Sequence, residues 1–330
     1  MAREIRGCAE ERCDIVKDDS TQHACDDLIA ANQAGSFYAS IKPFLTIDDQ
    51  VARLEEHGIQ IKDRDFVIAC LSEANYYRIR AYWMTFEDDD GVLPGIPFET
   101  IWALYQLDEA LRLWVWQQVG PIEIKARTQF AYQMARACGP LSYLDSRFFA
   151  DEGSHAKTMK SFQRELSRAQ KNRAPCVVHN LEKYGKLPVW AAVEIMPMGL
   201  VSSLFGNLNR GNGGASLSAT EEICASFGAK YTLLKSWLHH LTDVRNVCGH
   251  HNRFYGRVTN IRPKLLRQDR RYTSDREFPT FLVLKRMYEK SWPRQWEGAL
   301  SDLVSLFDKN VDVDVRPMGF PDAWQKVLGF

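Results

Sequence analysis

Trp237-Leu238-His239-His240-Leu241-Thr242-Asp243-Val244-Arg245-Asn246-Val247-Cys248-Gly249-His250 is the stretch on which the reading of this chain turns. At about 100° per residue, Trp237, Leu241, Val244 and Cys248 fall on one apolar stripe, while His239, Asp243, Asn246, His250 and Arg253 gather on the opposite side. The spacing predicts one helix that packs through its first face and presents its second. The presented groups are a guanidinium, a carboxamide and an imidazole within about two turns. Arginine can hold a phosphate through two parallel N–H bonds, and histidine titrates near neutral pH and can pass protons both ways. These are the groups needed to break a phosphodiester without a metal, so RNA cleavage is the first expectation, with Arg245, Asn246 and His250 as candidate catalytic residues. The plain alternative is a solvated polar face whose histidines cap the helix.

Asn246 and His250 are four apart and can touch, whereas Arg245 and His250 diverge by about 140° around an ideal helix. A second copy supplied by a symmetric partner would complete the site, so a homodimer is expected. Beyond the helix, the stretch 253–276 holds Arg253, Arg257, Arg262, Lys264, Arg267, Arg270, Arg271 and Arg276 against only Asp269 and Asp275, with Phe254, Tyr255 and Tyr272 interleaved. It reads as a phosphate track with stacking rings for unpaired bases, or equally as a charged, solvated connection. His251, Arg253 and Arg257 are candidate RNA contacts.

The rest of the chain reads as mostly helical. A helix is expected over 46–58, another over 63–74, two across 98–137 separated at Pro121, a basic one over 157–172 and an apolar one over 188–206 carrying Glu194. Short extended pieces are expected near 76–86 and 258–266. A lone carboxylate in an apolar helix needs a partner, so Glu194 should meet an arginine inside the fold. The Gly-, Asn- and Ser-rich stretch 207–218 is the clearest hinge. Residues 1–40 are acidic and aperiodic and read as an extension to a domain covering 41–330.

With 330 residues, 45% hydrophobic and 25% charged, the composition is that of an ordinary globular chain. A formal net charge of zero does not advertise a nucleic-acid partner, so the local distribution has to carry that argument. No apolar run approaches the ~18 residues of a membrane helix and the N-terminus lacks a signal-type core, so no membrane is involved and a cytoplasmic location is expected. The eight cysteines lack the dense spacing of a disulfide scaffold. Cys8, Cys13, His23 and Cys25 match no common zinc spacing, and the acidic run Glu87-Asp88-Asp89-Asp90 reads as a solvated loop. No cofactor or metal is called for.

Six separated segments in order resemble a known family, the Abi-type abortive infection proteins that include AbiD- and AbiF-like members. They are Lys42-Pro-Phe-Leu-Thr-Ile47, Asn75-Tyr-Tyr-Arg-Ile-Arg-Ala-Tyr-Trp83, Ile122-Glu-Ile-Lys-Ala-Arg-Thr-Gln-Phe-Ala131, Leu187-Pro-Val-Trp-Ala-Ala-Val-Glu194, Arg245-Asn-Val-Cys-Gly-His-His251 and Met318-Gly-Phe-Pro-Asp-Ala-Trp324. That family is similar in its helical core to the HEPN ribonucleases, which carry an Arg-polar-x-x-x-His signature and pair two copies across a dimer interface. The resemblance implies a mainly α, HEPN-like helical bundle with additional N-terminal helices. It further implies attack of an RNA 2′-hydroxyl on the adjacent phosphate at Arg245, Asn246 and His250. Gly249 departs from the alanine usual there. Glu123 and Arg127, four apart, are expected to pair, and because the pattern also places an arginine at Arg127 the resemblance implies that it either contacts RNA at the site or braces it. The expected role is phage defence or a toxin–antitoxin system acting on single-stranded or loop RNA, with an RNA or protein antitoxin as partner. The alternative is a noncatalytic module that binds RNA or an antitoxin through the same face.

Overall fold

The computed structural model describes residues 43–330 apart from 89–90, 93–94 and 212–213. The chain divides into two units, Met1–Thr46 and Ile47–Phe330, and every element below belongs to the second. The expected extension, with Cys8, Cys13, His23 and Cys25, lies outside the described residues, as do Asp89 and Asp90 of the acidic turn.

Helices α1 (Ile47–Glu56), α2 (Arg64–Glu73) and α3 (Tyr76–Trp83) come first, and Asp63 and Asn75 cap the second and third by accepting from the amides of Phe66 and Tyr77. Two minimal ladders follow: β1 (Ile59–Gln60) runs parallel to β4 (Ile96–Pro97), and β2 (Glu87–Asp88) pairs antiparallel with β3 (Gly91–Val92). The long helix α4 (Phe98–Cys138) forms the spine. Then come α5 (Glu152–Lys171), α6 (Pro175–Tyr184), α7 (Val189–Ala192), α8 (Met198–Gly206), α9 (Ala215–Phe227), α10 (Tyr231–Gly249), α11 (Phe278–Ser291), α12 (Pro293–Asp308) and α13 (Trp324–Leu328). Helices α3, α7, α8, α9, α10, α11 and α12 all pack on α4. Its apolar positions Phe98, Ile101, Leu104, Leu111, Val115, Val119, Ile122, Phe130 and Met134 are buried at helical spacing, and this makes one helix the centre of the core. Among the described residues, no helix is long and apolar enough to cross a membrane.

Several expectations are corrected here. The spine continues through Pro121, where a break was expected. Proline costs a helix interior about 3 kcal/mol, but the buried Val119 and Ile122 hold both sides of it to the core and Tyr288 Oη donates to the Gln118 carbonyl at 2.9 Å. The expected extended piece at 76–86 is mostly helical, because burial of Tyr82 against α4 and of Trp83 against His57 and Tyr76 overrides the strand preference of aromatic residues. The stretch 258–266 follows α10 without forming a strand. The single apolar helix over 188–206 is instead α7, a 3-10 turn and α8, divided at Pro197, whose missing N–H ends one helix and begins the next. Glu194 falls on that turn, exposed to solvent, so it needs no arginine within the fold.

His240, on the buried side of α10, shows how the following segment is fastened. Its Nδ1 donates to the Ile261 carbonyl at 2.6 Å and its Nε2 accepts from Thr280 Oγ1 at 2.9 Å, an arrangement that uses the neutral ring. Burial pushes its pKa down to about 4, with the Ile261 contact acting the other way. The unfolded chain therefore binds a proton that the folded chain refuses. The stability from this group is complete above the ordinary histidine range near pH 6.5 and declines as the pH falls toward 4, by up to about 3 kcal/mol. Melting followed from pH 7 to pH 4 should show this loss in the wild type and a flatter profile in His240→Gln. Parallel profiles would reject the assignment.

Candidate active site at the end of α10

The apolar stripe expected on α10 is buried at Trp237, Leu241, Val244 and Cys248, and the opposite side leaves His239, Asn246 and His250 exposed. The helix closes on a Schellman motif. The His251 amide donates to the Cys248 carbonyl at 3.1 Å and the Asn252 amide to the Val247 carbonyl at 3.0 Å. His251 takes the left-handed position usually given to glycine, with φ +55°. Arg78 of α3 secures this turn by donating to the His251 carbonyl at 2.6 Å. Both imidazoles thus stand exposed at a fixed helix end.

Arg245 turns toward α4. Its Nε lies 3.4 Å from Glu123 Oε2, its guanidinium carbon 4.7 Å from the centre of the Trp116 ring, and its Nη1 3.5 Å from Asn246 Oδ1. Arg127 binds the other oxygen of the same carboxylate, so Glu123 is clasped between two guanidiniums. Glu123 and Arg127 form the i,i+4 pair read from the sequence, and Arg245 joins them from the neighbouring helix. Arg127, Glu123, Arg245 and Asn246 make one continuous polar chain, and His250 follows one turn beyond Asn246.

Two of the candidate RNA contacts already have partners within the fold. Arg253 donates to the carbonyls of Ala81 and Tyr255 and to Thr85 Oγ1, and burial pushes its pKa down, so its guanidinium holds α3 to the turn after α10 instead of facing solvent. Arg257 lies 3.6 Å from Asp243 on α10 while its amide donates to Glu277. Of the rings expected to stack bases, Phe254 and Tyr255 are buried, while Tyr272 is half-buried, edge-on to Phe278 and with the Arg271 guanidinium over its face. What remains exposed of the basic track is Arg262, Lys264, Arg267, Arg270 and Arg271. Lys264 lies beside Ser236 of α10, to whose hydroxyl its amide donates.

Sequence reasoning missed Trp116. The residue is 40% exposed, yet its ring edge lies so close to Gly249 that an added Cβ would sit 2.5 Å from Cζ3 and 3.0 Å from Cη2. The signal was present in the glycine that replaces the usual alanine. Glycine costs a helix about 1 kcal/mol relative to alanine, and here it makes room for an indole that also carries the Arg245 guanidinium. Gly249→Ala should therefore lower the melting temperature despite the gain in helix propensity, because the ring must be displaced. In the Trp116→Ala background the same substitution should be neutral or stabilising. A Gly249→Ala protein more stable than wild type with Trp116 intact would contradict the wedge.

Trp116 also begins a surface. Leu113, Trp116 and Ile124, at 58%, 40% and 63% exposure, share one face of α4 with Gly120, whose surroundings are open. This uncovered apolar stripe runs directly alongside Arg127 and Arg245.

The fold and site define a mainly helical protein built on one long spine, with Asn246 and His250 exposed at the end of α10 and Arg245 turned toward α4. Residues 69–256 match the family model described as Abi-like protein, and the chain belongs to that family. No curated protein and no solved structure matches the chain.

Proposed function

We propose that this protein is a metal-independent endoribonuclease of HEPN type, acting as a homodimer on single-stranded or loop RNA. Membership of the Abi-like family associates the chain with abortive infection. Arg245 would hold the phosphate and offset the charge that builds on it, and Asn246 would orient the phosphate or the imidazole. His250 would deliver a proton to the leaving 5′-oxygen while the partner copy takes the proton of the attacking 2′-hydroxyl, giving a cyclic phosphate and a 5′-hydroxyl. The observation that carries this reading is the exposure of Asn246 and His250 at a rigid helix end, with Arg245 at the edge of an apolar stripe of α4 that a second copy would cover. A single chain sends Arg245 toward α4 and leaves His250 open, which is the arrangement expected of half a site. In-line attack needs a flexible backbone, so unpaired RNA is the expected substrate. His251, Arg127 and the exposed remainder of the basic track are its expected contacts, and a protein or RNA antitoxin would act by covering this same surface.

The test is incubation of a single-stranded RNA with the protein in EDTA, followed by analysis of the ends. Cyclic-phosphate and 5′-hydroxyl ends are expected from the wild type, with a rate lowered about 10²- to 10⁴-fold by His250→Ala. His250 is exposed, so its replacement should leave the melting temperature unchanged. Equal cleavage by both proteins, or activity lost on chelation, would reject the mechanism. RNA bound equally by both and cut by neither would favour the noncatalytic module.

A further inference from the structure

At the opposite end of α10 lies a cavity of about 610 Å³, lined by the ends of α8 and α10, the first turn of α9 and the residues leading into α5. That size lies within the range of small-molecule sites. Tyr231 forms one wall, its ring fixed by a hydrogen bond from Oη to the Gly206 carbonyl at 2.7 Å. The Arg210 guanidinium stacks over this ring with its central carbon 3.9 Å from the centroid, and Lys235 Nζ stands 5.9 Å from the same point. The absence of a side chain at Gly206 lets the lysine stem pass, since a Cβ there would lie 3.2 Å from Lys235 Cε. Two exposed cations are thus gathered on one aromatic ring, and neither has a carboxylate partner among the ion pairs of the described residues. The carboxylate that lines the cavity, Asp151, is held by the Ser154 amide at 2.6 Å as the cap of α5. The first turns of α9 and α10 add positive helix ends, and no side chain caps either one.

We propose that this cavity is a binding site for a nucleoside phosphate, supplied either as a free nucleotide or as the phosphorylated end of an RNA strand. A phosphate offset by Arg210 and Lys235 removes the repulsion between the two cations. Arginine can engage it with two donors while the rest of the nucleoside fills the cavity against Tyr231. A carboxylate would meet only part of this donor set. The site is distinct from the one at His250, because the 19 residues of α10 separate the two helix ends by about 28 Å.

Calorimetric titration of the full chain with adenosine 5′-monophosphate and with inorganic phosphate tests the assignment. The His250→Ala protein is used so that RNA survives as a competitor. Saturable, salt-sensitive binding of the nucleotide is expected, weaker binding of phosphate alone, and a loss of at least about tenfold for Arg210→Ala or Lys235→Ala. Both side chains are exposed, so melting curves should match the parent and exclude misfolding. Competition by a 5′-phosphorylated single strand but not by its unphosphorylated form would identify a strand end as the ligand. Absence of competition by either would identify the free nucleotide. No saturable binding of either probe, or undiminished affinity in the Arg210→Ala/Lys235→Ala double variant, would overturn the proposal. Failure of RNA cleavage would leave it standing, because the two sites are read out separately.

Discussion

Arg245→Ala and His250→Ala proteins, each inactive alone, are expected to regain about a quarter of wild-type RNA cleavage when co-expressed as mixed dimers, since half the dimers are mixed and each holds one intact composite site. The expectation follows from the direction of the two side chains. Arg245 lies over Trp116 with its Nε toward Glu123, at the rim of the uncovered stripe Leu113, Trp116 and Ile124, whereas His250 projects from the helix end. If a second copy covers that stripe, the arginine of one chain meets the histidine of the other. Ile124→Glu places a charge at the end of the stripe nearest Arg127 without touching the core. It should yield a monomer with near-normal melting and cleavage reduced to the level of His250→Ala, measured by light scattering and a labelled-RNA assay. Mixed dimers with no recovered activity would show that each cleft draws its groups from one chain. A fully active Ile124→Glu monomer would remove the dimer from the mechanism.

The parts of this protein that were legible in its sequence are those where one period governs one face. The buried stripe of α10, its exposed Asn246 and His250 and the i,i+4 pair Glu123–Arg127 all depend on neighbours within four residues. What could not be read depends on contacts far apart in the chain. Arg253 looked like part of a basic surface because its neighbours in sequence are basic. Its real partners, the Ala81 carbonyl and Thr85, lie about 170 residues earlier, and only the docking of α3 reveals them. The aromatic residues of α3 and the proline of α4 misled for the same reason, since local preference was overridden by burial against a helix that the local window does not include. Gly249 lies between these cases. Its oddity was visible, and its cause, Trp116, was not.

Asp108→Ala should unfold the protein more readily than any other single substitution near the site, by about 3–5 kcal/mol. Asp108 is fully buried on α4, where its carboxylate accepts from Tyr82 Oη at 2.7 Å, from Arg112, and from the amides of Phe254 and Tyr255 at 3.2 and 2.7 Å. One side chain therefore neutralises a buried guanidinium and fixes the chain as it leaves His250 and His251. Removing it strands the charge of Arg112, itself only 4% exposed, and frees two buried amides. The two contributions separate in a second variant. Asp108→Leu with Arg112→Met removes both charges, so whatever loss remains belongs to the orphaned amides of Phe254 and Tyr255 and to the Tyr82 hydroxyl, which loses both of its partners. Denaturant unfolding should rank Asp108→Ala as least stable, the apolar pair as intermediate and the wild type as most stable. RNA cleavage by the apolar pair should fall further than its stability loss explains, because His250 then stands on a turn no longer anchored to the spine. A difference of less than about 1 kcal/mol between Asp108→Ala and wild type would mean that Asp108 holds neither Arg112 nor the turn.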